Sequence, residues 1–243
     1  MANSYFQFKQ FTVHQDKCAM KVTTDGCLFG GFVANAISNS ELVINNCLDI
    51  GTGTGLLSLM IKKKKNCFID AIEIDAAAAE QATTNIVASP FSDKINIIQT
   101  DARIFLFEKK YDLIISNPPF YEKELKGDDE KRNIAHHSEE LSLSNLLTII
   151  NDNLSANGNF YLLLPFKRDE EIKKLIASNN FQIETITYIR QSVKHDYFRI
   201  IVSGKFRTEN PEEILLEDMA IKNEIGNYTP PFISLLKDYY LHL

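Results

Sequence analysis

The fold is decided by Leu48-Asp49-Ile50-Gly51-Thr52-Gly53-Thr54-Gly55-Leu56. Here an apolar run that carries an acid passes through three alternating glycines into a helical pattern. Glycine lets a ligand approach the backbone closely, and the amino end of a helix attracts negative charge. The dinucleotide-binding fingerprint Gly-x-Gly-x-x-Gly is not met, because Leu56 stands where its last glycine belongs. The stretch therefore predicts a strand-turn-helix ligand site of another type.

Short apolar or β-branched runs on both sides of this stretch predict seven strands, separated by segments with helix-spaced apolar residues. The first five strands alternate with such segments, which indicates a parallel sheet covered on both faces. Only residues 191–196 separate the last two strands, so these should form an antiparallel hairpin. The predicted fold is α/β, a doubly wound, seven-stranded, mostly parallel, Rossmann-like sheet with a C-terminal antiparallel hairpin. The predicted strands are 47–50, 68–74, 95–99, 111–116, 159–164, 182–190 and 197–206, and the predicted helices are 56–64, 76–87, 141–154 and 168–179.

The composition indicates a single globular domain, residues 1–243. Hydrophobic residues make up 44% of the chain and charged residues 24%, which excludes disordered, collagen-like and coiled-coil classes. The first residues lack a basic start followed by an apolar run, and no segment approaches the roughly 20 apolar residues that span a bilayer. We therefore expect a cytoplasmic protein without a membrane segment.

Cysteine spacing and net charge limit the possible partners. The four cysteines never form a Cys-x-x-Cys pair, so we predict that they are core residues and that there is no metal site. The net charge of -6 provides no general attraction for phosphate. A nucleic-acid site would therefore have to be a local basic patch. Candidate cations are Lys126 and Arg132, within a charged stretch at 122–140 predicted to be a mobile loop, and Arg190 and Lys194 by the hairpin.

Acidic residues stand at the ends of the second and third predicted strands. A carboxylate at Glu73 would accept hydrogen bonds from both hydroxyls of a ribose. Asp75 competes for that role, but its position favours capping of the following helix. Asp101-Ala102 resembles the position where a carboxylate accepts from the amino group of adenine. Each acid alone is compatible with a solvated strand end, and their regular placement favours an adenosine site.

A second motif, Leu113-Ile114-Ile115-Ser116-Asn117-Pro118-Pro119-Phe120, follows another strand. One interpretation is a strand stopped by a stiff Pro-Pro turn, in which Asn117 makes a local hydrogen bond. The alternative is chemical. The side-chain oxygen of Asn117 and the carbonyl of Pro118 would accept the two hydrogens of a planar amino group and stabilise positive charge that develops on its nitrogen. Phe120 would stack on the base, with Pro119 beside it.

These motifs resemble known methyltransferase signatures. The acid followed by Gly-x-Gly-x-Gly resembles motif I of class I methyltransferases that use S-adenosylmethionine. Asn117 to Phe120 resembles the Asn-Pro-Pro-(Tyr/Phe) signature of enzymes that methylate planar amino nitrogens. The N-terminal residues 6–26 resemble the opening of bacterial tRNA1(Val) adenine-37 N(6)-methyltransferases, and the C-terminal residues Asn227-Tyr228-Thr229-Pro230, Phe232 and Tyr239-Tyr240 extend that resemblance over nearly the whole chain.

The resemblance implies transfer of a methyl group from S-adenosylmethionine to the exocyclic nitrogen of adenine 37 in tRNA1(Val). It also implies that residues 1–40 cover the cofactor, and we expect a monomer. The implied catalytic residues are Asn117, Pro118 and Phe120. The implied cofactor contacts are Lys21, Thr24, Asp25, Asp49, Gly51, Gly53, Gly55, Glu73, Asp101, Ala102 and Asn117, and the implied tRNA contacts are Pro119, Phe120, Lys126, Arg132, Arg190 and Lys194.

The same residues are consistent with two alternative functions. A glutamine side-chain amide and a guanine amino group are also planar NH2 groups, so a protein-glutamine or ribosomal RNA guanine methyltransferase would use the same motif. A non-catalytic RNA-binding module that keeps the cofactor pocket belongs to a different functional class. The presence of Asp49, Glu73 and the 117–120 motif argues against it.

Overall fold

The computed structural model describes residues 3–119 and 141–243. Within these residues the chain forms ten strands and six α-helices. In chain order they are β1 (Tyr5–Gln7), β2 (Thr12–His14), α1 (Thr24–Asn39), β3 (Asn46–Ile50), α2 (Leu56–Lys64), β4 (Phe68–Glu73), α3 (Ala76–Val87), β5 (Ile95–Gln99), β6 (Tyr111–Ser116), α4 (Leu143–Asn153), β7 (Leu154–Pro165), α5 (Asp169–Ser178), β8 (Phe181–Ser192), β9 (Tyr197–Phe206), β10 (Leu215–Lys222) and α6 (Pro230–Leu236).

Eight strands form one sheet in the order β10-β8-β9-β7-β6-β3-β4-β5. Neighbouring strands are parallel from β7 to β5 along this order, whereas β9 is antiparallel to both β7 and β8. The predicted mostly parallel sheet and its antiparallel hairpin are thus confirmed. The sheet has one strand more than predicted, because β10 adds to the edge in parallel with β8.

The two faces of the sheet are covered by different helices. One core contains Phe29 of α1, Leu59 of α2 and Phe232 of α6, together with side chains of the sheet. The other contains Leu146 of α4 and Ile172 of α5, packed on the opposite face. Helices on both faces are the arrangement that a doubly wound sheet requires. The carboxyl ends of its parallel strands are left open to form a site.

Helix α1 is absent from the sequence-based prediction. Its segment, TDGCLFGGFVANAISN, contains three glycines, which lower helix propensity. Packing explains one of them, because a Cβ on Gly30 would come within 2.5 Å of the sulfur of Met60 on α2. The close approach of α1 and α2 therefore overrides the local preference, and Thr23 caps the helix through a hydrogen bond from the Gly26 amide.

The chain ends are packed together. Phe8 forms a β-bridge with Tyr240, and the Lys9 amide donates to the carbonyl of Tyr239 at 2.8 Å. The buried hydroxyl of Tyr239 donates to the carbonyl of Met60 on α2 at 2.9 Å. The N- and C-terminal segments with family resemblance thus support one another, and the C-terminal tyrosines anchor the strand pair β1–β2 against α2.

Other sequence predictions concern burial and membrane crossing. All four cysteines are buried free thiols, as predicted for core residues. In the described part of the chain, no helix combines the length and apolar character needed to cross a bilayer. The predicted loop 122–140 lies outside the described residues, as do Phe120, Lys126 and Arg132.

Candidate functional site

A cavity of about 320 Å³ opens at the carboxyl ends of β3, β4 and β6. In this sheet the chain proceeds from β3 towards β4 on one side and returns to β6 on the other. Such a change of direction is the place where open α/β sheets bind ligands. The lining residues are Cys18, Ala19, Met20, Lys21, Val22, Thr23, Gly26, Ile50, Gly51, Thr52, Gly53, Thr54, Leu56, Leu57, Ile72, Glu73, Ile74, Asp75, Ala78, Thr100, Asp101, Ala102, Arg103, Asn117, Pro118, Pro119 and Leu141.

The glycine turn forms one wall of the cavity. Gly51, Gly53 and Gly55 have φ angles of 75°, 56° and 81°, in the left-handed region that favours glycine. A Cβ on Gly51 or Gly53 would have no atom within 4 Å, so both positions border open space. Gly55 instead faces α3 and does not line the cavity. The first two glycines are therefore available for close contact with a ligand.

Asp49 lies behind this turn and supports it. One carboxylate oxygen, Oδ2, accepts hydrogen bonds from the hydroxyls of Thr52 at 2.7 Å and Ser58 at 2.8 Å. The other oxygen, Oδ1, is buried and has no hydrogen-bond partner among the residues that the structure describes. Burial raises the pKa of Asp49 to about 6, and the nearby charge of Glu73 adds to the effect. Asp49 thus connects β3, the turn and α2, and it is not part of the cavity wall.

The raised pKa of Asp49 predicts that stability depends on pH. Since the folded-state pKa of about 6 exceeds the usual 3.8, protonation favours the folded state, and this stabilisation is lost as pH rises through 6. Between pH 4 and 7 the free energy of unfolding should fall by about 2 kcal/mol more in the parent protein than in Asp49→Asn. Urea titrations of both proteins across this range measure the difference. Parallel pH profiles would contradict the assignment.

Glu73 brings a carboxylate to the cavity at the end of β4. Its side chain is buried, and its two oxygens accept from the amides of Gly53 at 2.8 Å and Asp75 at 3.0 Å. Each oxygen retains a lone pair for a further hydrogen bond. The Asp75 carboxylate accepts from the Ala78 amide at 2.8 Å, which confirms that Asp75 caps α3. Glu73 is therefore the better candidate for the two ribose hydroxyls.

Asp101 follows β5 and lines the cavity. Its carboxylate also forms an ion pair with Arg103. The guanidinium of Arg103 bonds both carboxylate oxygens, with distances from 2.6 to 3.0 Å, and lowers the pKa of Asp101. Ala102 is buried beside them in the cavity wall. Sequence reasoning missed Arg103, although the Asp-x-Arg spacing permits this pairing. Arg103 holds the Asp101 carboxylate in place and lies at the cavity wall itself.

Asn117 is positioned by the end of β6. The buried hydroxyl of Ser116 donates to the carbonyl of Ile50 at 2.7 Å, which ties the end of β6 to the end of β3. Asn117 is half-buried, and its side chain has no hydrogen-bond partner among residues 3–119 and 141–243. Pro118 and Pro119 continue the cavity wall. The amide of Asn117 is thus held at the cavity without a hydrogen bond to any described residue.

Fewer residues of the N-terminal segment line the cavity than the family resemblance implies. Residues 18–23 and Gly26 line the cavity, and Lys21 is exposed there, whereas Thr24 and Asp25 do not line it. The Asp25 carboxylate instead accepts a hydrogen bond of 2.7 Å from Nε of Arg199 on β9. The structure therefore places Asp25 in an ion pair that joins the start of α1 to the sheet.

Arg190 and Lys194 stand near the β8–β9 turn, at the same edge of the sheet as the cavity. They are not isolated cations. Arg190 bonds the carboxylate of Asp218 and donates to the hydroxyl of Tyr197 at 2.8 Å. Lys194 Nζ donates to the carbonyl of Glu224 at 3.1 Å. The pairing of Arg190 with Asp218 reduces the charge that it can offer to a phosphate.

Comparison with known proteins identifies the family. The model of the methyltransferase small domain matches residues 32–179. A tRNA1(Val) (adenine(37)-N6)-methyltransferase of Dyadobacter fermentans is 38% identical over 98% of both chains. One of Parabacteroides distasonis, with the same name, is 36% identical over 100% of both. The chain belongs to this methyltransferase family. Its family membership confirms the resemblance seen in the sequence.

Solved structures place this methyltransferase in the class I fold. A predicted O-methyltransferase of Agrobacterium tumefaciens superposes with a TM-score of 0.63 at 15% identity and covers 87% of this chain and 95% of its own. A putative class I S-adenosylmethionine-dependent methyltransferase of Listeria monocytogenes gives 0.60 at 16% identity and covers 83% and 68%. These similarities confirm the predicted fold class of the methyltransferase.

Proposed function

We propose that this methyltransferase transfers a methyl group from S-adenosylmethionine to the N6 amino group of adenine 37 in tRNA1(Val). The names of its full-length relatives support this substrate. The structural observation that carries the proposal is the Asn117 side chain, which has no hydrogen-bond partner within the described parts of the chain, at a cavity that also holds Glu73. An acceptor for an amino group thus stands in the same cavity as a candidate ribose ligand. We expect the protein to act as a cytoplasmic monomer.

The residues of the cavity fit S-adenosylmethionine. Gly51 and Gly53 leave open space beside the backbone, Glu73 has lone pairs for ribose hydroxyls, and Asp101 in the cavity wall would accept from an adenine amino group. The buried carboxylate of Asp49 adds negative potential behind the glycine turn, which suits a positively charged ligand. When bound, the cofactor would supply an electrophilic methyl group. Lys21 and residues near it would cover that ligand from the N-terminal side.

Asn117 and Pro118 would prepare the acceptor nitrogen. The lone pair of an adenine amino group is delocalised into the ring, which makes the nitrogen a weak nucleophile. Hydrogen bonds from its two N–H groups to Asn117 Oδ1 and the Pro118 carbonyl favour a more electron-rich nitrogen and stabilise the positive charge that forms as the new N–C bond is made. The nitrogen then releases one proton to water, so no strong general base is needed. Alignment of the acceptor nitrogen with the methyl group would lower the remaining activation barrier.

The ion pair between Asp25 and Arg199 predicts a positioning effect on this reaction. It fixes the first turn of α1, and a Cβ on Gly26 in that turn would lie 3.8 Å from Asn117 Nδ2. Arg199→Ala should therefore lower kcat by about 10- to 100-fold, because small displacements near the reacting groups are costly. Lys205→Ala is the matched control, since Lys205 pairs with Glu184 further along the same strand. Similar kcat values for the two variants would exclude a positioning role, and Arg199→Lys should recover part of the loss.

Incorporation of labelled methyl groups tests the proposed substrate. We expect incorporation into a valine tRNA transcript, and none into the same transcript with guanine at position 37. A glutamine-containing peptide and ribosomal RNA serve as acceptors for the two alternative methyltransferase activities. Methylation of either one in preference to the tRNA would contradict the proposal. Binding of RNA without methylation of any acceptor would favour a non-catalytic RNA-binding module.

A further inference from the structure

Three aromatic rings form a cluster at the edge of the sheet that carries the cavity. Phe166 follows β7, Tyr188 lies on β8, and Tyr197 begins β9. The ring centroids of Phe166 and Tyr188 are 5.9 Å apart, those of Phe166 and Tyr197 are 5.4 Å apart, and those of Tyr188 and Tyr197 are 5.2 Å apart. Phe166 remains 37% exposed, although a phenylalanine of this size is usually buried. The Phe166 ring is therefore accessible to solvent and is packed against the rings of Tyr188 and Tyr197.

Strand register places this cluster beside the Asn-Pro-Pro motif. Ser116 at the end of β6 is paired with Leu162 of β7, and Pro165 is paired with Arg199 of β9. Neighbouring strands lie about 4.8 Å apart. Asn117 is therefore level with Leu163, and Phe166 leaves the neighbouring strand β7 three residues, or about 10 Å, further towards the carboxyl edge. Tyr197 lies on β9, the next strand of the sheet. The aromatic cluster therefore lies on the side of β6 that is opposite to β3.

Hydrogen bonds and cations hold the rings in place. The Tyr197 hydroxyl bonds the Asp218 carboxylate, which also binds Arg190, and the guanidinium of Arg190 lies 4.6 Å from the Tyr197 centroid. The Tyr188 hydroxyl donates to Asp169 at 3.1 Å. Both tyrosines are thus fixed by their polar ends, which leaves their rings to support Phe166.

Three cations beside the cluster are paired with carboxylates. Arg190 is paired with Asp218, Lys173 with Asp169 at 2.7 Å, and Arg168 with Glu171 at 2.8 Å. A surface of such pairs attracts phosphate weakly, and the net charge of -6 adds no attraction. Aromatic rings, by contrast, bind unpaired bases by stacking, which needs no net charge. Recognition of single-stranded RNA commonly relies on such splayed-out, stacked bases.

We propose that Phe166 is a stacking platform for an unpaired RNA base next to the one that is methylated. The inference rests on the proposed function, because it takes an RNA loop as the substrate. The adenine that enters the cavity must leave its stack, and its neighbours in the loop then lose a stacking partner. Phe166 follows the strand next to that motif, about 10 Å beyond the level of Asn117, and its ring would replace the lost partner.

Binding of a valine tRNA transcript over a salt series tests the platform. Phe166→Ala should raise the Kd by about 5- to 150-fold, the usual effect of one lost base–aromatic stack. The slope of log Kd against log salt should stay unchanged, because stacking releases no counterions. Phe166→Trp should bind at least as tightly as the parent protein. Phe68→Ala is the matched control, since Phe68 is an exposed ring with a lysine 5.0 Å from its centroid, at the start of β4 on the opposite edge.

The outcomes separate this inference from the proposed function. A Kd for Phe166→Ala equal to that of Phe68→Ala would overturn the platform, even if the parent protein methylates the tRNA. A reduced salt slope would also overturn it, because it indicates a phosphate contact. If the parent protein binds the tRNA with the predicted dependence on Phe166 but methylates no adenine, the proposed function fails and the platform stands. Calorimetric binding of S-adenosylmethionine to each variant checks that the cavity is intact.

Discussion

Replacement of Asn117 by alanine is expected to lower kcat for methyl transfer by at least 10²- to 10³-fold. The side chain is held at the cavity by the Ser116–Ile50 hydrogen bond, and its amide bonds no residue of 3–119 or 141–243. Removing one preorganised group that stabilises developing charge commonly costs this much. The Kd for S-adenosylmethionine should change only a few-fold, because Asn117 is proposed to face the acceptor. Single-turnover methyl transfer and calorimetry measure the two quantities.

Asn96→Ala provides the control for the Asn117 variant. Asn96 is an exposed amide on β5, outside the cavity lining. This variant should keep the kcat and the cofactor affinity of the parent protein. If Asn117→Ala abolished cofactor binding as well as methyl transfer, the assignment of Asn117 to the acceptor side would be wrong.

Replacement of Glu73 by alanine has the second-largest expected effect, on cofactor affinity. The Kd for S-adenosylmethionine should rise by about 10- to 150-fold, which corresponds to about 1.5–3 kcal/mol for hydrogen bonds to a charged group. The carboxylate also accepts from the amides of Gly53 and Asp75, so the variant loses support for the glycine turn. Calorimetry on the purified variant measures the change.

Asp75→Asn separates the two acids at the end of β4. Asparagine also caps helices well, so this variant should preserve α3 and bind the cofactor nearly as tightly as the parent protein. Loss of affinity in Asp75→Asn, together with unchanged affinity in Glu73→Ala, would assign the ribose to Asp75. NAD should not bind the parent protein, because Leu56 occupies the place of the third glycine in the dinucleotide fingerprint.

Most of the sheet could be predicted because its strands are apolar runs of clear length. Periodicity also identifies α2 and α3, and Asp75 marks the start of α3. The same signals fail for α1, where Gly30 permits the close approach of α2 and Gly31 permits the close approach of α6. Strand β10 gives no alternating pattern, since Leu215 and Leu216 are both exposed, and its pairing with β8 supplies the stability.

The candidate site was predictable where residues follow strands. Parallel strands gather their carboxyl ends at one edge, so Gly51, Glu73, Asp101 and Asn117 meet although they are distant in sequence. Contacts between residues far apart in the chain give no such signal. The bond between Asp25 and Arg199 joins positions 174 residues apart, and it turns a residue expected to contact the cofactor towards β9. The aromatic cluster likewise depends on the pairing of three strands.

Mapping of the methylated position tests the central claim most directly. A valine tRNA transcript would be incubated with the parent protein and S-adenosylmethionine, digested with a ribonuclease and examined by mass spectrometry. We predict one added methyl group, located in the fragment that contains adenine 37 and released as N6-methyladenosine. The Asn117→Ala protein should leave that fragment unmodified. A methyl group on another nucleotide, or on a ring nitrogen of adenine 37, would contradict the account of Asn117 and Pro118 as acceptors for an exocyclic amino group.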